Sequence, residues 1–228
     1  MESDLIFLEF YGLPGCGKST VSHLVAKKLA EGGKTVSEPT YDTDHKSSAK
    51  VRKVKKFLKL FRYALIHPKK YRALKKLVSR NGYGGKNGLK QCANITNKLL
   101  AYEKAETGFV IFDEGLTQSA ISLSQEKEGK VISSENEKIL YGLCGNKCRP
   151  ENVKKIYIRV KADVALARME GRDAHDSRIE KMNPELRKKA VAQFHMQCDL
   201  IPDGIVIEDA APEEVAERIL KAIGTEKR

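Results

Sequence analysis

Between His45 and Tyr102 the chain has no aspartate or glutamate, yet it holds 17 lysines and arginines there. The full 228 residues carry 42 basic and 30 acidic side chains, so outside this stretch 25 basic residues face 30 acids. One segment therefore owns the whole formal excess of +12, and whatever it meets is expected to be anionic. No run of about 18 apolar residues occurs, which argues against a membrane-spanning helix. The first residues are acidic and lead at once into an apolar stretch, so a signal peptide is not expected. Five scattered cysteines, an odd number, fit reduced thiols in a cytoplasm better than a disulfide framework. There is no internal repeat, low-complexity tract or linker. The composition, 41% hydrophobic and 32% charged, is that of a globular protein, expected here as a single domain over residues 1–228.

What is present begins at Gly12. Gly12, Leu13, Pro14, Gly15, Cys16, Gly17, Lys18, Ser19 and Thr20 fit the P-loop pattern: a glycine, four free positions, then Gly-Lys-Ser. Leu5 to Tyr11 before it is apolar enough for a buried parallel strand. Val21, Leu24, Val25, Lys28 and Leu29 after it have the spacing of a one-faced helix. Glycines let backbone N–H groups curl around a phosphate, and a helix start adds donors and a positive dipole end. In such a loop Lys18 reaches the β- and γ-phosphates of ATP, and Ser19 ligates Mg²⁺.

Further along, Gly32-Gly33 ends the first helix, and Lys34 to Ser37 reads as a short strand stopped by Pro39. Val51, Val54, Phe57, Leu58, Phe61 and Leu65 recur at helical spacing among lysines and arginines. Pro68 opens another helix to about Val78. Asn81 to Gly88 is glycine-rich and reads as a flexible loop before a long helix, Leu89 to Lys104. Gly108 to Asp113 is a buried-strand pattern, followed by helices at Thr117 to Ser124 and Glu135 to Leu143. Val153 to Val160 and Gly204 to Ile207 read as strands, and Ala162 to Glu170, Pro184 to Cys198 and Pro212 to Ile223 as helices. Strands alternating with helices predict an α/β, three-layer fold: a parallel sheet with helices on both faces.

In open parallel sheets, ligands sit at the carboxyl ends of strands. Besides the P-loop, two acidic sites fall there. Asp113 ends the third strand, where it can hold Mg²⁺ together with Ser19, and Glu114 follows as a second acid. Glu38 ends the second strand, a suitable place for a base that takes the proton of an acceptor hydroxyl. Arg168, Arg172 and Arg178 lie in a charged stretch, about 168–180, that reads as an arginine-rich lid able to spread charge over a transferring phosphoryl group.

Together these features resemble the P-loop nucleoside and nucleotide kinases, above all thymidylate kinases and deoxynucleoside kinases. The residues that carry the resemblance are Gly12 to Thr20, Glu38-Pro39, Asp113-Glu114-Gly115 with Ser119-Ala120, and Arg168 to Glu180 with its Asp-Ser-Arg-Ile-Glu. The resemblance implies a phosphotransferase that moves the γ-phosphoryl of ATP, with Mg²⁺, to a small nucleoside- or nucleotide-like acceptor. It implies Lys18 and Ser19 at the donor phosphates, Asp113 at the metal, Arg168 and Arg172 in the lid, and Glu38 as the base. Two departures stand out. The arginine that follows the aspartate in thymidylate kinases is here Glu114, and their Asp-Pro-Arg motif is absent. A carboxylate cannot grip an acceptor phosphate as arginine does, which argues against thymidine monophosphate. Glu38 and Glu114 suit an acceptor that presents a hydroxyl, while the basic segment, about 45–105, suits one that is anionic elsewhere.

Other patterns fall short. Asn146-Lys147 resembles a guanine-reading motif, but position 149 is arginine. Cys144 and Cys148 have no second pair to complete a zinc site. His175 lies in the lid stretch and reads as an exposed histidine. The basic helix from Val51 to Leu65 has three readings: a solvated cover over the acceptor cleft, a helix lying on an anionic membrane, or a binder of nucleic-acid phosphates. No nucleic-acid motif supports the last. An alternative overall reading is an ATPase whose basic helices engage an anionic partner, and a third is an inactive relic. The expected location is the cytoplasm, with peripheral membrane contact under the second reading of the helix. A homodimer is compatible with the sequence, which does not specify an oligomeric state.

Overall fold

The computed structural model describes residues 5–41, 49–124, 133–171 and 179–224. At its centre is strand β1 (Ile6–Tyr11). Successive side chains of a strand point to opposite faces. Phe7 joins one apolar cluster with Val110, Phe112 and Leu116. Leu8 and Phe10 join a second cluster with Val25, Ile111 and Ile156. A strand apolar on both faces has to be covered on both.

Four further strands complete the sheet: β2 (Val36–Ser37), β3 (Phe109–Phe112), β4 (Val153–Arg159) and β5 (Gly204–Glu208). Their order is β2-β3-β1-β4-β5, and all neighbours are parallel. Leu8 lies opposite Ile111 of β3 and Lys154 of β4. All five strands thus end on one edge, which puts the P-loop, Glu38 and Asp113 side by side.

One face of the sheet is covered by α1 (Lys18–Glu31), α7 (Ala162–Glu170), α8 (Pro184–Asp199) and α9 (Pro212–Ala222). The other is covered by α3 (Pro68–Arg80), α4 (Gly85–Lys104), α5 (Leu116–Ser124) and α6 (Ser133–Cys144), with α2 (Ala49–Ile66) packed on α4. This is the three-layer α/β arrangement that the alternating pattern predicts. Proline occupies the first turn of α3, α8 and α9, where its missing N–H costs nothing. Asn183 also caps α8, its side chain accepting from Leu186 N at 2.9 Å.

The glycine-rich stretch differs from its sequence reading. Gly85 to Gly88 is the first turn of α4, not part of a loop. Gly88 N donates to Gly84 O at 2.9 Å, and a Cβ on Gly88 would sit 2.8 Å from Tyr83 O. Glycine is there for close approach between helix and turn, not for flexibility. The second strand is also shorter than expected, since pairing with β3 begins at Val36 and not at Lys34; it ends at Ser37 as expected, and the chain turns helical at Pro39. Among the described residues, no helix is long and apolar enough to cross a membrane.

Candidate active site

The loop from Gly12 to Lys18 is shaped by three glycines with positive φ: Gly12 at 145°, Gly15 at 85° and Gly17 at 89°. A Cβ on Gly12 would meet Ile158 O at 2.7 Å, so the loop lies against β4 too closely for any other residue. Leu13 and Cys16 turn their side chains into the core, Pro14 borders the cleft, and Thr20 is exposed. Gly17 caps α1 in a left-handed conformation without a capping side chain, which leaves the first N–H groups of the helix to a ligand.

Lys18 is buried, its ammonium 3.0 Å from Gly12 O and 3.1 Å from Leu13 O. Burial opposes its charge, but Cys16 and the carboxylates of Glu114 and Asp113 outweigh that, and its pKa is raised above the usual lysine value. Next to it, Ser19 Oγ donates to Asp113 Oδ2 at 2.8 Å. A hydroxyl and a carboxylate oxygen this close form a hard, two-ligand set, which fits Mg²⁺ completed by water and phosphate oxygens. Among the described residues no group of three or more His, Cys, Asp or Glu could hold a metal. Cys144 is hydrogen-bonded to Cys148 and buried, both of which push its thiol well above the usual range, and all five cysteines are free.

The cleft beside this pair has a volume of about 470 Å³. Asp113 and Glu114 stand at its P-loop end, with Thr40 from the helical turn that follows β2. Helix α4 supplies Lys90, Gln91, Asn94 and Lys98, and α2 supplies Lys56. The Lys98 ammonium donates to Ser119 Oγ at 2.8 Å and Gly115 O at 3.2 Å. Its pKa is lowered by burial, which Glu114, Asp113 and Glu9 only partly offset. Gln118 ties α5 to the P-loop: its Oε1 accepts from Gly12 N at 3.0 Å, and its Nε2 donates to Gly12 O at 3.3 Å.

The remaining sequence candidates are more dispersed. Glu38 follows β2 as expected, but its carboxylate is 3.0 Å from His23 Nδ1, and His23 stacks on Tyr41. Arg168 ends α7, whose backbone rests against Gly15, yet its guanidinium makes a two-pronged pair with Asp209 at 3.0 and 2.8 Å. Arg172, His175 and Arg178 lie outside the described residues.

Solved structures can be set beside this geometry. One of deoxyadenosine kinase from M. mycoides, with the products dCMP and a flexible dCDP bound, aligns at a TM-score of 0.52. The match is 19% identical and covers 97% of this chain and 100% of that one. Another of the same enzyme, with bound dATP, aligns at 0.50 and 18% identity, covering 96% of this chain and 99% of that one. The chain has the deoxyadenosine kinase fold. No family model matches the sequence, and no curated protein does so at a significant level.

On that fold, the sequence-predicted P-loop, Ser19, Asp113 and Glu114 come together at one cleft. Lys98, Gln118 and Thr40 join them without a sequence signal of their own. Lys98 reads as one more lysine of a basic segment. Gln118 sits at a helix position with no motif around it. What marks both is the register of α4 and α5 against β1 and β3, which periodicity does not specify.

Proposed function

We propose that the protein transfers the γ-phosphoryl group of ATP to a nucleoside- or nucleotide-type acceptor held in the cleft. The observation that carries this reading is the 2.8 Å contact of Ser19 Oγ with Asp113 Oδ2 beside a glycine loop that ends in Lys18. Two nucleotide-bound structures of the same fold support it. Mg²⁺, when bound by Ser19 and Asp113, would neutralise donor phosphate oxygens. The loop N–H groups and Lys18 hold the donor phosphates. Phosphoryl transfer needs little covalent help from a protein, so positioning and charge do most of the work. Glu38 orients the acceptor hydroxyl and takes its proton, with Glu114, which borders the cleft, as the alternative base. Thr40 Oγ1 is buried without a hydrogen-bond partner among the described residues, and it borders the cleft where an acceptor hydroxyl or amide would satisfy it. Incubation with γ-labelled ATP and Mg²⁺ should move label onto one acceptor pool among nucleosides, nucleoside monophosphates and sugars. Label released only as inorganic phosphate in every pool would overturn the assignment in favour of an ATPase.

Glu38→Gln tests the base. Loss of a positioned base lowers turnover by about 10²–10⁴-fold, and ATP binding should change less than about twofold. Turnover equal to that of the parent would transfer the role to Glu114, whose Gln variant then becomes the deciding one.

Lys98 supplies the cation that the thymidylate kinase arginine supplies elsewhere, entering from α4 instead of from the residue after the aspartate. It borders the cleft, with its charge coupled to those of Glu114 and Asp113. Lys98→Met should lower turnover by about 10²-fold. Its lowered pKa sets the sign of a pH effect. The ammonium is present below that pKa and lost above it, so the parent's rate should fall at lower alkaline pH than an ordinary lysine would give. Lys98→Arg should carry activity to higher pH. An unshifted alkaline limb in Lys98→Arg would exclude Lys98 from the reaction.

A further inference from the structure

Helix α2 has two apolar faces. Leu60 and Tyr63 point inward and are buried in the core. On the opposite side Val51, Val54, Leu58, Phe61 and Leu65 recur at alternating steps of three and four, which is one stripe along the helix. Val54 is 59% exposed, Leu58 63%, Phe61 66% and Leu65 67%. With Phe57 and Ile66, this single helix holds 7 of the 12 large apolar side chains exposed among the described residues. Singly scattered apolar residues on a surface need no explanation, but an aligned row does.

Charge selects the occupant. Lys55, Lys59 and Arg62 flank the stripe, and no acid occurs from His45 to Tyr102. A second copy pairing along this stripe would bring like charges together on both sides of the seam. A nucleic-acid strand would meet the cations but has nothing for Val54, Leu58 and Leu65. Beside the stripe, between α2 and α4, lies a hollow of about 590 Å³ bordered by Lys59, Arg62, Ile66 and Lys104. Tyr63 also borders it, and its buried hydroxyl has no hydrogen-bond partner among the described residues. An apolar row and, beside it, a hollow rimmed by cations match an anionic lipid: acyl chains under the row, headgroups at the lysines and arginines.

We infer that α2 lies flat on an anionic lipid surface with Val54, Leu58, Phe61 and Leu65 inserted at the headgroup boundary. Lys56 of the same helix faces inward to the cleft. Docking therefore holds the acceptor cleft about one helix diameter, roughly 10 Å, from the bilayer surface. The inference does not depend on the phosphotransferase reading.

The test is co-sedimentation of the full chain with vesicles of phosphatidylcholine alone and of phosphatidylcholine mixed with phosphatidylglycerol. The chain should bind the mixed vesicles, leave the pure ones free, and come off as salt approaches about 1 M, where screening is nearly complete. Any basic protein shows part of that behaviour, so the deciding variant keeps the charge. Leu58→Ser with Phe61→Ser should lower the bound fraction at least about tenfold, since each side chain otherwise buries apolar area. Arg62→Glu with Lys104→Glu should do the same by reversing the rim. All four residues are exposed and none borders the catalytic cleft, so the circular dichroism and label transfer in solution should match the parent's. Equal vesicle binding by the parent and by Leu58→Ser with Phe61→Ser would overturn the inference. So would failure of the parent to bind the mixed vesicles. A concentration-dependent dimer abolished by the same pair of changes, without vesicle binding, would assign the stripe to self-association instead.

Discussion

Lys18→Ala should lower phosphoryl transfer by about 10²–10³-fold, the loss typical of removing one preorganised charge from a developing anion. The ammonium is buried and tethered by two loop carbonyls, so its charge is held at the glycine loop before a donor arrives. Its raised pKa keeps it protonated across the whole working range, so the deficit should be independent of pH between about 6 and 9. The fold should survive. Its ammonium is held by loop carbonyls, and Lys18 belongs to neither apolar cluster, so the thermal midpoint should stay within about 4 °C of the parent's. Single-turnover transfer from γ-labelled ATP gives the rate, and nucleotide titration separates binding from chemistry. Ser19→Ala and Asp113→Asn act on the same charge cluster, so their effects should combine with that of Lys18→Ala less than additively. A folded Lys18→Ala protein with undiminished transfer would mean that the P-loop does not hold the donor.

The parts of the fold that could be read from the sequence are those with a local cause. Strand, glycine loop and helix around Gly12 follow from apolar runs, from positive φ at glycine and from the Lys-Ser pair, and they stand as predicted. Proline placed the starts of α3, α8 and α9 to the residue. Local signals failed where tertiary contact decides. Gly85 to Gly88 looked like a loop because its composition is permissive, but close packing of Gly88 on Tyr83 makes it helical. The site shows the same division. The carboxylates at strand ends were visible because parallel sheets put their functional edge there. Lys98 and Gln118 were not, since each acquires its meaning from a partner at Gly115, Ser119 or Gly12 on another element. For α2 the sequence left a cover over the cleft and a face lying on a membrane as open alternatives. Val51, Val54, Leu58, Phe61 and Leu65 have the spacing that a buried face also has, and the packing of Leu60 and Tyr63 shows that they point the other way.

The least visible residue is Glu9, a carboxylate in the middle of an apolar strand, and Glu9→Ala should cause the largest loss of stability. The alternation of β1 directs Glu9 to the same face as Phe7, and it is fully buried. Its Oε1 accepts from the hydroxyls of Tyr102 and Tyr141, the latter at 2.7 Å, and its Oε2 accepts from Thr117 N at 2.9 Å. These donors lie on α4, α6 and the first turn of α5, so one carboxylate fastens three helices to the central strand. The negative charge at the start of α5 also suits the helix dipole. Thr117 extends the network through its hydroxyl to Glu137, which pairs with Lys155 at 3.2 Å. Burial pushes the Glu137 carboxyl up, and Lys155 works against that. Gly115 has to be glycine in this setting, because a Cβ there would collide with the Glu9 carboxylate. Truncating Glu9 leaves the Tyr102 hydroxyl and Thr117 N without an acceptor, leaves Tyr141 with Thr117 Oγ1 as its one partner, and opens a cavity. The expected cost is about 3–5 kcal/mol, or a midpoint lower by about 6–20 °C for a chain of this length. Glu9→Gln keeps one acceptor oxygen and should lose about half as much. The helices released are those that carry Lys98 and Gln118, so KM for the acceptor should rise even at temperatures where the variant stays folded. A cycle with Tyr141→Phe should show a coupling of at least about 1 kcal/mol. A Glu9→Ala protein that melts within about 2 °C of the parent would show that the carboxylate does not hold the three helices.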